Sequence, residues 1–310
     1  MFNLSALPSM VTVYEVGPRD GLQNEKKILP TASKVSLIKK LIAAGMPAIE
    51  VTSLVRPDLV PALADAEELL SEIKYLFDAT RVIALVPNQK GLERALISGV
   101  KEIAITASAT ETFSQANLNR SVKESLKIFD TVIKQARMEG LRVRGYISMC
   151  FGDPWEGNVP AEQVATVAQS LFESGIHELS LGDTIGIATP KQVVDLLDVL
   201  DKKEIKRSDL AVHFHDTYGQ ALANTLVALQ EGISIIDASI GGLGGCPFAK
   251  SATGNLATED LIWQLNGLGI ETGIDLKALV ETSNWLRRTT GLGVQSKASI
   301  ALSHLGNDEK

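Results

Sequence analysis

Two histidines, His213 and His215, flank Phe214 in the run LAVHFHD. On a β-strand, side chains at i and i+2 face the same way. Two imidazoles can therefore converge on one cation while Phe214 points to the opposite side. The chain has four histidines, and two fall in this pattern. The bland alternative is a pair of hydrogen-bonded core histidines. A second polar group lies near the N-terminus, where VGPRDGLQNE (16–25) sets Arg19 beside Asp20 between two glycines. A polar turn would explain it. So would a carboxylate ligand next to an anion-binding guanidinium. A third segment, GGLGGCPFAKSATGN (241–255), ends on Asn255.

Asp20, His213, His215 and Asn255 together offer oxygen and nitrogen donors and no thiolate. Such a set suits Mg²⁺ or Mn²⁺, with coordination positions left for water or substrate oxygens. Zinc is compatible with His and Asp but is less favoured without a thiolate. Beside a cation, Arg19 can hold a carboxylate or stabilise a developing enolate. Glu50 and Asp183 read as partners that orient ligands or as a catalytic base, against capping or a plain salt bridge. Cys246 is the one thiol in the glycine-rich segment and leads directly to Asn255, so it is a candidate proton donor or acceptor. Cys150 reads as a small packed residue. Lys26 and Lys27 are solvated, or draw in an anionic substrate.

Eight short apolar runs can carry these residues: 11–16, 48–52, 81–86, 102–108, 141–148, 178–183, 210–216 and 235–240. Most are nearly continuous in apolar character, as strands buried on both faces should be. Helical periodicity fills the intervals. In TASKVSLIKKLIAAG, Val35, Ile38, Leu41 and Ile42 share a face, with Thr31 as the expected N-cap and Gly45 as the stop. Two further helices are expected to stop at Gly140 and Gly175. Alternating strands and helices predict an α/β fold, a (β/α)8 TIM barrel, with a doubly wound sheet as the runner-up. The second option needs a phosphate-binding glycine fingerprint, which neither GPRDG nor GGLGGCP supplies. In a barrel, chemistry sits at the C-terminal strand ends, and Arg19, Asp20, Glu50, Asp183, His213, His215 and Asn255 all fall late in a run or just beyond it. Residues 1–310 read as one catalytic barrel domain, with 270–310 as a C-terminal helical extension.

Bulk properties agree. A chain of 310 residues with 45% hydrophobic content can bury a large core. Its mean hydropathy is +0.11. A net charge of −7 argues against general nucleic-acid or anionic-membrane binding, so an anionic substrate needs a local basic pocket. Two cysteines make no disulfide framework. The opening MFNLSALPSM lacks the layout of a signal peptide, and no run reaches the length of a membrane span. A cytoplasmic location is expected.

VGPRDGLQNE, VHFHDTYGQALANTLVAL and GGLGGCPFAKSATGNLATEDL together resemble the 3-hydroxy-3-methylglutaryl-CoA lyase family, and the similarity runs along nearly the whole chain. The R-D-G element alone is shared with a wider group of metal-dependent lyases and acyl-CoA-condensing synthases. The resemblance implies a TIM barrel that uses a divalent cation to cleave 3-hydroxy-3-methylglutaryl-CoA to acetyl-CoA and acetoacetate, a step in leucine breakdown. It implies metal ligation by Asp20, His213, His215 and Asn255, enolate stabilisation by Arg19 and proton transfer by Cys246, with His213 as the other candidate. Glu50, Asp183 and Glu259 match polar active-site positions. The expected partners are an acyl-CoA substrate and further copies of the chain in a homo-oligomer. The extra C-terminal thiol of some animal members is missing, so no intersubunit disulfide is expected there. Two other readings compete: a condensing synthase acting on a 2-oxo acid, and a barrel that binds acyl-CoA without turning it over.

Overall fold

The computed structural model describes residues 7–25, 27–245 and 254–305. Its strands are β1 (Thr12–Glu15), β2 (Ala48–Ser53), β3 (Arg81–Leu85), β4 (Glu102–Ser108), β5 (Arg142–Ser148), β6 (Gly152–Asp153), β7 (Gly157–Asn158), β8 (Glu178–Asp183), β9 (Leu210–Phe214) and β10 (Ile235–Ala238). Eight of them close into a barrel in the order β1-β10-β9-β8-β5-β4-β3-β2, and all its pairings are parallel. Each of the eight apolar runs supplies one barrel strand. β6 and β7 form a small antiparallel hairpin in the connection after β5, which the sequence pattern did not announce.

The seam that closes the barrel joins β1 to β10, with Thr12 opposite Ile235 and Glu15 opposite Ala238. Apolar residues on the outward faces of the strands pack against the helices, as Val13, Ile49, Ile103, Val143, Leu181, Val212 and Ile236 do in one large core. Phe214 belongs to that core and stacks obliquely on Phe151 at 6.1 Å between ring centres. Its outward packing turns His213 and His215 the other way.

The barrel interior is mixed. Tyr14, Ala48, Ile83, Ala104 and Tyr146 form a small apolar cluster there. Beside it, Arg144 is fully buried and bonds Glu178 at 2.6 Å and Asp237 at 2.6 Å. Its guanidinium also lies 4.0 Å from the Tyr14 ring centre. A buried cation this well paired is tolerated because both charges and the hydrogen-bond geometry are satisfied.

The first helix, Thr31–Ala43, starts one residue earlier than a Thr31 cap requires. Pro30 takes the cap position, where a missing N–H costs nothing, and Thr31 donates its hydroxyl to Asp65 at 2.9 Å instead. Gly45 does follow the helix, at φ +88, and a Cβ there would lie 2.4 Å from the Gly273 carbonyl oxygen. The helices at Val122–Met138 and Ala161–Ser174 stop at Gly140 and Gly175, both at positive φ. Beyond the barrel, helices Leu276–Thr290 and Lys297–Leu305 pack on the helix Thr258–Gly267. Among the described residues no helix is long and apolar enough to cross a membrane.

Candidate active site

After β1 the backbone makes a tight π-helical turn over Gly17–Gly21. The N–H groups of Arg19, Asp20 and Gly21 all bond the Val16 carbonyl. Both glycines are required by space. A Cβ at Gly17 would stand 2.6 Å from Glu15 Oε1, and one at Gly21 would stand 2.9 Å from Leu243 Cβ. This turn answers what the G-P-R-D-G segment is for: it presses β1 against the β10 exit and pushes Arg19 and Asp20 into the barrel mouth. Glu15 locks the same junction. Its carboxyl accepts from Gly17 N at 2.7 Å, Ile240 N at 2.8 Å and the Thr258 hydroxyl at 2.7 Å.

Asp20, His213 and His215 converge so that one ligand atom from each lies within 4.8 Å of the others. The two imidazole centres are 5.3 Å apart. Asn255 completes the group: its Nδ2 donates to Asp20 Oδ2 at 2.9 Å and to Leu243 O at 2.8 Å. Its Oδ1 is buried without a hydrogen-bond partner, as is His215 Nδ1. Unsatisfied buried acceptors are costly, and at this spot a cation would satisfy them. The donor set therefore fits a hard divalent metal.

Electrostatics set the protonation states for ligation. Burial alone would raise Asp20, but Arg19 and the two imidazoles outweigh it and hold the carboxyl at about 2. Burial, aided by His213, lowers His215 to about 4, so its imidazole is neutral near pH 7. His213 behaves differently: burial pulls it down, but Asp237 and Asp20 raise it above the ordinary value. Arg19 stays charged, because Glu50 and Asp20 overcome the cost of its burial.

Arg19 is held at both ends, donating to Asp20 at 2.6 Å and to Glu50 at 2.8 Å. The Tyr146 hydroxyl donates to the same Glu50 oxygen at 3.0 Å and accepts from Arg144 at 2.6 Å. Glu50 thus seats Arg19. Asp183 borders the cluster, near enough for His213 to act on its charge, but its carboxyl accepts from the backbone N–H groups of Ile187 and Ala188, and burial raises it to about 7. Its neighbours Gly182 and Thr184 line the cavity in its place. Glu259 sits behind the barrel mouth, accepting from Gly241 N and from the hydroxyls of Ser283 and Ser299. Cys150 is buried and donates to the Ile147 carbonyl, and burial pushes its thiol up. Cys246 and Lys26 lie outside the described residues, although Gly245 reaches the cavity wall.

Asp237 is the residue that sequence reasoning missed. It is fully buried, accepts from Arg144 and Ser180, and lies 3.3 Å from His213 Nδ1. The signal was present: an acidic residue inside an apolar run that must be buried on both faces needs a partner.

The cavity above this cluster measures about 480 Å³. Arg19, Asp20, Tyr146, His213 and His215 form its inner part, and Arg56 and Arg120 stand on its walls. Arg120 supplies local positive charge that an acidic chain needs for an anionic ligand, while Arg56 is bonded to the Asp58 carboxylate.

A closed parallel barrel with an Asp-His-His cluster at its C-terminal mouth defines the class: a TIM barrel carrying a candidate metal centre. Residues 10–286 match the family described as HMGL-like, and the chain belongs to that family. It is 48% identical to the mitochondrial hydroxymethylglutaryl-CoA lyase of Rattus norvegicus over 98% of this chain and 93% of the relative. Identity to the mitochondrial enzyme of Arabidopsis thaliana is 50%, over 96% of this chain and 63% of that longer relative. Among solved structures, hydroxymethylglutaryl-CoA lyase from Pseudomonas aeruginosa superposes with a TM-score of 0.93 at 48% identity, covering 97% of this chain and 99% of that one. An HMG-CoA lyase from Acinetobacter baumannii in complex with coenzyme A and 3-methylmalate gives 0.90 at 36% identity, covering 97% of each chain.

Proposed function

We propose that this chain is a divalent-metal-dependent carbon–carbon lyase that cleaves 3-hydroxy-3-methylglutaryl-CoA to acetyl-CoA and acetoacetate. One observation carries the reading: Asp20, His213 and His215 converge beside the anchored guanidinium of Arg19. Membership of the family, and the names of relatives that match along nearly the whole chain, support it. Residues 1–310 then act as one catalytic barrel unit, with 270–310 as its helical extension.

Cleavage removes the proton of the C3 hydroxyl, turns that oxygen into the ketone of acetoacetate and breaks the C2–C3 bond. The bonding pair goes to the thioester fragment, which becomes an enolate and takes a proton at C2. Asp20, His213, His215 and Asn255 would hold the cation. When bound, Mg²⁺ or Mn²⁺ supplies positive charge that acidifies a hydroxyl and fixes its orientation. Arg19 would stabilise the developing enolate oxygen, its guanidinium held by Glu50, which Tyr146 also bonds. Arg56 and Arg120 suit the phosphate-bearing end of coenzyme A. Protonation of the enolate falls to Cys246, since His213 has one ring nitrogen facing Asp237 and the other assigned to the metal. Asp183 shapes the 183–188 turn that borders the substrate.

The test is turnover. Purified protein stripped with chelator and assayed for acetoacetate from 3-hydroxy-3-methylglutaryl-CoA should be inactive, and Mg²⁺ or Mn²⁺ should restore it. Metal-independent release, or none with any cation, refutes the reading. Incubating acetyl-CoA with a 2-oxo acid separates this lyase from a condensing synthase, and no condensed product is expected.

A further inference from the structure

Asp237 and His213 are register partners on adjacent strands β10 and β9. Both oxygens of the Asp237 carboxyl are anchored from below. Oδ1 accepts from Arg144 Nη2 at 2.6 Å, and Oδ2 accepts from the Ser180 hydroxyl at 2.8 Å and lies 3.3 Å from Arg144 Nη1. Arg144 is itself pinned by Glu178 at 2.6 Å and donates to the Tyr146 hydroxyl at 2.6 Å. Neither Asp237 nor Arg144 is exposed to solvent. The carboxylate is thus a rigid fixture of the barrel floor. Its remaining face looks at His213 Nδ1, 3.3 Å away, an ion-pair contact short of hydrogen-bond geometry, and no other polar partner competes for that nitrogen among the described residues.

An ionised carboxylate only accepts hydrogen bonds. The ring nitrogen facing it must then carry the hydrogen, which leaves the lone pair on the opposite nitrogen. We propose that Asp237 is a positioning residue that fixes His213 with hydrogen on Nδ1 and offers Nε2 to the cation. Nδ1 of His215 is also buried without a hydrogen bond, but among the described residues no carboxylate stands within ion-pair distance of it as Asp237 does of His213. The two imidazoles are therefore unequal: one arrives with tautomer and angle preset, while the other is ordered by what it binds. Outer partners of this kind raise ligand basicity and govern metal affinity. Arg144 roots a second branch as well, through the Tyr146 hydroxyl to Glu50 and on to Arg19. One buried guanidinium thus steadies both the metal-facing and the enolate-facing sides of the site.

The inference rests on the metal reading of the site, and the experiments separate the two. In the ¹⁵N-labelled, Mg²⁺-loaded protein, long-range ¹H–¹⁵N spectra of the imidazoles should show hydrogen on His213 Nδ1 and none on Nε2. Assignment follows from the signal lost in His213→Gln. Hydrogen on Nε2 overturns the proposal, and this test needs no Asp237 variant to fold. In Asp237→Asn, with native circular dichroism, Mn²⁺ affinity measured from the paramagnetic signal of the free ion should fall about 10- to 100-fold. In a His213→Gln background the same change should add less than about twofold, as expected for coupled residues. An unchanged Mn²⁺ affinity in Asp237→Asn, or full additivity in the double variant, refutes the assignment. Wild-type protein that binds Mn²⁺ but does not cleave 3-hydroxy-3-methylglutaryl-CoA would sink the functional reading alone.

Discussion

Arg19 and His215 line the same cavity and have different proposed roles, so their substitutions should have different signatures. On the proposed mechanism, Arg19→Gln removes a charge needed as the enolate forms. The expected result is a fall of about 100- to 1,000-fold in kcat, with Mn²⁺ affinity changed by no more than a few-fold. Unchanged kcat would remove Arg19 from the chemistry. If His215 is the ligand proposed, His215→Ala removes it, and equilibrium dialysis should show metal lost at concentrations that saturate the wild type. Equal retention would count against ligation. Cys246→Ala should lower kcat with a modest effect on KM, and wild-type rates would give the thiol no part in proton transfer. The outer residues were harder to read. Arg19, Asp20, His213 and His215 announce themselves by type and spacing, and Glu50 was legible only as a polar residue at a strand end. Asp237 and Arg144 sit within strands, where alternation hides which interior face a charge occupies and across which neighbour it pairs. Asp183 carried the same strand-end signal as the others, yet its carboxyl closes a backbone turn. Sequence position does not distinguish those two uses.

The turn after β1 shows how an element earns its site. Glu15 holds it to the β10 exit and to Thr258, and it does so from a fully buried position. Burial pushes its carboxyl from 4.5 to about 8, against the pull of its hydrogen bonds to Thr258, Ile240 and Gly17. Between those values the folded chain keeps a proton that the unfolded chain releases. This contribution to stability is complete below about pH 4.5 and is lost as pH rises through about 8. Asp183, raised by burial from 3.8 to about 7, acts in the same direction. Asp20 acts in the opposite one, since its support is present above 3.8 and fades as pH falls through about 2. His215, lowered from 6.5 to about 4, adds stability as pH rises between those values, so metal-free protein should lose denaturant stability chiefly as pH climbs from about 6.5 to about 8. Glu15→Gln should flatten much of that slope, and an identical slope in the variant would show that Glu15 is ionised throughout. The eight barrel strands and most helix stops were legible because two-faced burial and terminal glycines leave direct marks. The β6–β7 hairpin was not, because each of its strands is two residues long and carries no period.

At the scale of the whole molecule, barrel closure and site assembly share a foundation. Arg144 bridges Glu178 on β8 to Asp237 on β10 and packs on Tyr14 of β1. Arg144→Gln should destabilise the fold by about 3–5 kcal/mol, because it strands two buried carboxylates. Chemical denaturation checks this, and a loss below about 1 kcal/mol would mean that the floor network relaxes without its cation.

Asp20 donates to the candidate metal cluster from the start of the chain, while its hydrogen-bonded companion Asn255 comes 235 residues later. During synthesis the first carboxylate leaves the ribosome long before the amide that completes its surroundings exists. Neither half can trap a cation on its own in the finished geometry. On the proposed reading, loading with metal is a late event, reserved for polypeptides whose first and last strands have already met, and a truncated or misfolded copy carries no assembled centre with which to break the C2–C3 bond.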